Sequence, residues 1–267
     1  MNGWWFVILA AVFLIGVTKS GFGSGVGLMI VPMTVVGMAH TSYGSKAALG
    51  VLLPLLLLGD LIAVGQHRKH FDGSIVRRLA AGTAAGVLLG AALLWWFHNQ
   101  QRFVTPLIKL EVGLESVVLV GLQWWRLYRR QNLKVTPSPL RFAATGAFAG
   151  ASSTLAHAAG PIIALFLLPQ KLDRRVFVGT CAVYFFLLNA AKMPAYWGVE
   201  MFSGAGLLLS LYLVPVVMAG AAFGFWVNRR MNDELFSRVV YVLTFVLGWY
   251  LIADAGLELR RLISESA

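Results

Sequence analysis

The chain has 267 residues, of which 58% are hydrophobic and only 12% charged. A soluble domain carries about 25% charged residues, so these proportions argue against a water-soluble surface and make the bilayer the solvent for most of the chain. The net charge of +11 would suggest nucleic acid in a soluble protein. Here no soluble domain could carry it, and the one cysteine, Cys181, rules out an internal disulfide and a multi-cysteine metal site.

The first apolar region, residues 4–38, is interrupted by Thr18-Lys19-Ser20-Gly21-Phe22-Gly23-Ser24-Gly25. The N-terminus has no basic stretch before it, so no cleaved signal peptide is expected. The flanking apolar pieces of about 10 to 15 residues reach only about 15–22 Å as helix, which predicts a broken or re-entrant hairpin. Long runs follow at 44–66, 75–97 and 104–126, each able to cross a hydrocarbon core of about 30 Å. A second interrupted region, 142–169, is broken by Gly150-Ala151-Ser152-Ser153-Thr154-Leu155-Ala156-His157-Ala158-Ala159-Gly160-Pro161, and three more runs follow at 176–197, 204–228 and 235–253.

Fifteen loop cations fall in the stretches 67–78, 126–141, 171–175 and 229–238, against four in the opposite loops and the C-terminal tail. Basic loops stay in the cytoplasm, so both termini are expected outside. Each half is then a hairpin plus three spans, and three being odd, the halves are inverted relative to each other, as in many secondary transporters. The expected fold is an all-α membrane protein of two inverted repeats, 1–130 and 131–267. A shift of 134 residues supports the repeat by aligning Gly16 with Gly150, Gly86 with Gly220 and Gly90 with Gly224. The small-residue spacing Gly82-x3-Gly86-x3-Gly90 favours close helix packing, and such a face also permits a homodimer.

Helix breaks at membrane depth must be buried in protein or line a wet cavity. A half-helix starting there offers free N–H groups and a positive dipole end, a ready anion site. Gly160-Pro161 reads as such a start, because proline suits the first helical position. Gly23 and Gly25 allow close backbone approach, while Ser24, Ser152, Ser153 and Thr154 supply hydroxyls. Ionisable groups at depth are costly and usually functional. Lys192, three residues after Asn189 on one helix side, is expected as the anion's cationic partner, with Asn189 orienting the ligand and His157 adding charge. Asp60, Glu111 and Glu115 are candidates for proton coupling, Glu111 and Glu115 sharing a face at i, i+4. Lys19 and Lys109 are expected to snorkel to the outer interface. No second histidine lies within helical reach of His157, so no metal is expected, and no cofactor.

The ordered set Gly21-Phe22-Gly23-Ser24-Gly25-Val26-Gly27 with Val31-Pro32, Ala156-His157-Ala158-Ala159-Gly160-Pro161, and Val178-Gly179-Thr180 with Asn189-Ala190-Ala191-Lys192-Met193-Pro194 resembles the TauE/SafE family of sulfite and organosulfonate exporters. Ser24 and Val26 make the first motif less purely glycine than the family's usual run. The resemblance covers nearly the whole chain and implies a small anionic substrate, sulfite or a sulfonate, moved across the inner membrane. Two other classes compete. An intramembrane hydrolase would use Ser153 and His157, at i, i+4, as nucleophile and base, but no acid lies near to orient them. A structural membrane subunit would not need the buried charges.

Overall fold

The computed structural model describes residues 3–19, 26–99, 103–129, 138–170, 172–227 and 233–265, and the described chain is helical throughout. The first half runs α1 (Trp4–Lys19), a 3-10 turn at Val26–Met29, α2 (Ile30–Ala39), α3 (Gly44–His67), α4 (Gly73–Asn99) and α5 (Val104–Arg129). The second runs α6 (Pro139–Ala156), α7 (Ala159–Leu167), a 3-10 turn at Leu168–Gln170, α8 (Arg174–Gly198), α9 (Gly204–Val227) and α10 (Asp233–Ser264). Each half is therefore two short helices followed by three long ones, the order expected from the apolar runs.

Among the described residues, five helices are long and apolar enough to cross a membrane: α3, α4, α8, α9 and α10. The expected span at 104–126 is not one of them. Its helix, α5, has 26 residues, enough for about 39 Å, but Lys109, Glu111 and Glu115 interrupt the apolar stretch. The last helix is longer than the run 235–253 implied, extending as 32 residues to Ser264. Its polar final turns are held by α5, where Lys109 Nζ donates to Asp254 Oδ2 and Glu258 Oε2, both at 2.8 Å. Lys109 is thus anchored in a three-residue ion cluster rather than turned out to an interface.

The short helices fold back as expected, α1 packing on α2 and α6 on α7. The second break falls at His157, within the expected interruption 150–161, but the helix start expected at Gly160-Pro161 comes slightly earlier. His157 takes left-handed backbone geometry, φ +53°, and its N–H donates to Ser153 O at 3.0 Å to close α6. α7 then starts at Ala159, placing Pro161 third in its first turn. The first four N–H groups of a helix lack intrahelical acceptors, so proline is tolerated throughout that turn.

The halves interlock. α1 packs on α9 and α4 on α6, while α3 meets α8 and α5 meets α10. Glycines set the first two contacts. A Cβ on Gly16 would lie 2.1 Å from Val217 O and 2.4 Å from Ala221 N; one on Gly150 would lie 2.4 Å from Thr83 O and 2.9 Å from Val87 N. A Cβ on Gly86 would fall 2.0 Å from Ala147 O, and one on Gly220 2.1 Å from Phe13 O. Each contact maps onto its counterpart by the same shift of 134. The face Gly82, Gly86, Gly90 is occupied by α6 of the same chain, so these residues are not a dimer surface. Outward-facing Leu88, Leu211, Val246, Trp95, Trp197 and Trp226 are more than half exposed, which suits a lipid surround with aromatic residues near helix ends.

Candidate functional site

The site forms because buried polar groups on different helices must find one another: an unpaired charge in an apolar interior costs several kcal/mol, roughly. Two adjoining networks result. The first is built on the second helix break. Lys192 on α8 is fully buried, and its Nζ lies 2.7 Å from Ser153 O, 2.9 Å from Ser153 Oγ and 2.6 Å from His157 Nδ1. These are three acceptors for the three N–H directions of an ammonium. His157 Nε2 lies 3.1 Å from the carbonyl oxygen of Leu49 on α3. A proton on Nε2 therefore donates to that carbonyl and leaves Nδ1 as acceptor for Lys192. The Tyr196 hydroxyl, also fully buried, donates to Thr154 O at 2.7 Å. That carbonyl belongs to the last turn of α6, where intrahelical donors run out.

The second network crosses from α1 to α8 through α3. The ammonium of Lys19, at the C-terminal end of α1, donates to Asp60 Oδ1. The other carboxylate oxygen of Asp60 accepts from Asn189 Nδ2 at 2.5 Å. Asp60 is wholly enclosed, while the Lys19 side chain keeps 19% of its surface open.

What that open surface faces is a cavity of about 130 Å³. Its walls come from both halves: Thr18, Lys19, Gly27 and Asp60 from the first, Ser153, His157, Gly160, Cys181 and Asn189 from the second. The first turn of α7, Ala158 to Pro161, borders it, so the N-terminal dipole end expected at this break does adjoin the space. The cavity occupies the half of the bundle shared by the later part of α3 and the earlier part of α8. The other half is filled: Leu49, Leu52, Leu53 and Tyr196 are closed to solvent, and Gly50 is so close to Met201 that a Cβ there would lie 2.0 Å from its carbonyl oxygen.

Of the residues the sequence singles out, Asp60, Ser153, His157, Gly160 and Asn189 come together at this cavity. Lys192 lies behind Ser153 and His157. Thr154 turns its hydroxyl to Gly150 O within its own helix, at 2.8 Å. Ser152 faces α5 instead, donating to Glu115 Oε1, while Glu115 Oε2 is buried without a partner among the described residues. Glu111 and Glu115 therefore sit apart from the cavity. Gly23, Ser24 and Gly25 lie outside the described residues. The Ser153 hydroxyl and the His157 ring both turn to Lys192, an arrangement different from a nucleophile directly engaging its base. No group of three or more His, Cys, Asp or Glu that could hold a metal occurs among the described residues.

Two participants, Lys19 and Tyr196, lie outside the motifs. Lys19 enters the cavity rather than snorkelling outward; its place just before the glycine-rich segment was the available signal. Tyr196, four residues after Lys192, shares its face. Gly179 and Thr180 serve the chain in another way: a Cβ on Gly179 would lie 2.0 Å from His70 O, and Thr180 Oγ1 accepts from Asp72 N at 2.9 Å. They dock the α3–α4 loop onto α8. In that loop Asp72 caps α4, accepting from Ser74 N at 2.8 Å and Ile75 N at 3.2 Å. Hydrogen bonding, led by Ser74, holds this half-buried carboxyl below its usual range.

Compared with known families, residues 8–251 match the family described as Sulfite exporter TauE/SafE. No curated protein and no solved structure matches the chain.

Proposed function

The chain belongs to the sulfite exporter TauE/SafE family, and on that premise we propose that it exports a small sulfur oxyanion, sulfite or a sulfonate, across the inner membrane. The family is one of transporters, and a multi-pass membrane protein built of apolar helices fits it. The observation that carries the reading is the cavity between the halves. It combines the partly open ammonium of Lys19, paired with Asp60, the first turn of a half-helix and hydroxyl and amide groups in a space sized for a small ion. Helix N-termini and cations favour anions there.

In this reading the units 1–130 and 131–267 are inverted repeats, and both termini lie outside the cytoplasm. Support comes from the glycine contacts related by a shift of 134 and from the distribution of basic loops. The cavity then faces the cytoplasm, where the α3–α4 loop lies. The packed region around Leu49, Tyr196 and Met201 closes the opposite side. Rocking one repeat against the other would exchange the two. Glu111 and Glu115 are further candidates to carry protons alongside the anion.

Reconstitution into proteoliposomes tests this. Accelerated efflux of trapped sulfite, relative to protein-free vesicles, supports it. Absence of flux with sulfite, sulfate, thiosulfate and short sulfonates, from protein that unfolds cooperatively, removes it.

A further inference from the structure

We propose that Lys19 is the cationic partner of the transported anion and that Asp60 is its internal counter-ion, so that a small oxyanion binds at Lys19 together with a proton on Asp60. This rests on the anion-transport reading above and gives it a coupling mechanism.

Two lysines compete for the role. Lys192 is surrounded: three acceptors of the chain's own take its three N–H directions, and Ser153 and His157 stand between it and the cavity. Lys19 is different. It lines the cavity, its side chain is partly open to it, and among the described residues its hydrogen-bond partner is Asp60 alone. Its four-carbon stem can swing the ammonium from a carboxylate to a ligand nearby.

While Asp60 is ionised, Lys19 and Asp60 cancel, and an arriving anion meets no net charge from the pair. It must also displace a carboxylate from the ammonium. A proton on Asp60 removes both obstacles. The neutral acid keeps its carbonyl oxygen for Asn189, whose amide already donates to Asp60 Oδ2 at 2.5 Å, so the site need not rearrange. The exchange balances: ion pair plus anion plus proton gives an ammonium–anion pair and a neutral carboxylic acid. A monoanion therefore loads with no change in net charge, which matters inside a membrane. By linkage, each ligand raises the affinity of the other by the same factor.

The charged and titratable surroundings of Asp60 do not offer a substitute. α1 supplies Lys19, α8 supplies Lys192 and Cys181, and the break between α6 and α7 supplies His157. Beyond Lys192, α5 carries Glu111 and Glu115. α2 contains no titratable residue, and the one on α9, Tyr212, faces outward at 71% exposure.

The test uses the full-length protein in detergent and two anions that do not titrate in the working range, methanesulfonate and sulfate. Calorimetric titration between about pH 5 and about pH 8, repeated in buffers of different ionisation enthalpy, reads affinity and proton uptake together. The wild type should take up about one proton per anion where Asp60 is ionised, with affinity falling up to about tenfold per pH unit as pH rises. Asp60→Asn should bind with no such slope and no proton uptake, and Lys19→Met should weaken binding by about a hundredfold or more at every pH. Binding to the wild type without proton uptake, or wild-type affinity in Lys19→Met, overturns the coupling while leaving an anion transporter in place. The proton-uptake readout needs no variant, so poor folding of Asp60→Asn would not blunt it. Failure of the wild type to bind either anion at any pH, with sulfite flux also absent, overturns the transport reading and the coupling with it.

Discussion

Lys192 Nζ lies 2.6 Å from His157 Nδ1, joining the middle of α8 to the one residue in the second break that adopts a left-handed backbone. The pair does for the break what a capping residue does at a helix end: it gives side-chain groups at the break, His157 Nδ1 and Ser153 Oγ, a donor from another helix. The lysine therefore ties α8 to the break through Ser153 and His157, both of which line the cavity.

Lys192→Met should lower stability by about 2 kcal/mol or more, because Nδ1 of His157 and Oγ of Ser153 lose their shared donor inside a closed space, at about 1–3 kcal/mol each, while Ser153 O keeps the His157 N–H. Tyr196→Phe, which orphans a single carbonyl, should cost about half as much. Thermal unfolding in detergent measures both, and equal effects would show that the ammonium is not holding several groups at once.

His157→Gly and His157→Ala remove the same ring contacts but differ in backbone. At φ +53° an alanine is strained by about 1–2 kcal/mol while glycine is not. The glycine variant should therefore be the more stable by about that margin. An alanine variant as stable as the glycine one would mean that the break relaxes out of the left-handed region.

Gly16→Ala and Gly150→Ala should each disrupt assembly, since the added carbon would lie within 2.4 Å of a backbone oxygen on the facing helix and overpacking against backbone costs about 3 kcal/mol or more. Gly121→Ala, with nothing within 4 Å, is the matched control and should behave as wild type. Size-exclusion profiles and unfolding midpoints decide. Tolerance of alanine at one of the two positions but not the other would argue against equivalent seams in the two halves.

Lys109→Met should cost only about 1 kcal/mol. Its two carboxylate partners are each more than a third exposed, and solvent-screened ion pairs are weak. Unfolding midpoints measured at low and high salt should converge for wild type and variant as salt rises.

Cys181, the chain's one cysteine, stands in the cavity wall and reports on occupancy without any engineering. Its modification by a small thiol reagent should slow several-fold when a transported anion is present. Unchanged labelling under saturating anion would place the ligand elsewhere.

Asp72 offers a check on pH outside the membrane-spanning helices. Its carboxyl is held below its usual range, so the cap stabilises α4 at neutral pH and the contribution fades as acidification protonates it. Asp72→Ala should lower stability by up to about 1 kcal/mol near neutrality, and the gap to wild type should narrow in acid.

The sequence alone determined the membrane class, the helical content, the order of short and long helices and the family. These depend on local properties: run length, apolar content, and glycine and proline signals. It also marked 150–161 as the second interruption, which contains His157, but read the start of α7 at Gly160-Pro161, just past Ala159, because a histidine in left-handed geometry leaves no mark that a glycine would. Most of the first interruption lies outside the described residues. What it could not assign is which buried charge meets which. Spacing relates residues within one helix, as for Asn189 and Lys192. Even there, three residues leave the side chains about 60° apart, enough for Asn189 to turn to Asp60 and Lys192 to the break. Lys19 and Asp60 are 41 residues apart, and Lys192 and His157 are 35 apart on different helices. A charge enclosed among apolar helices is stable only beside a partner, and only the packing of α1, α3, α6 and α8 decides which partner is within reach.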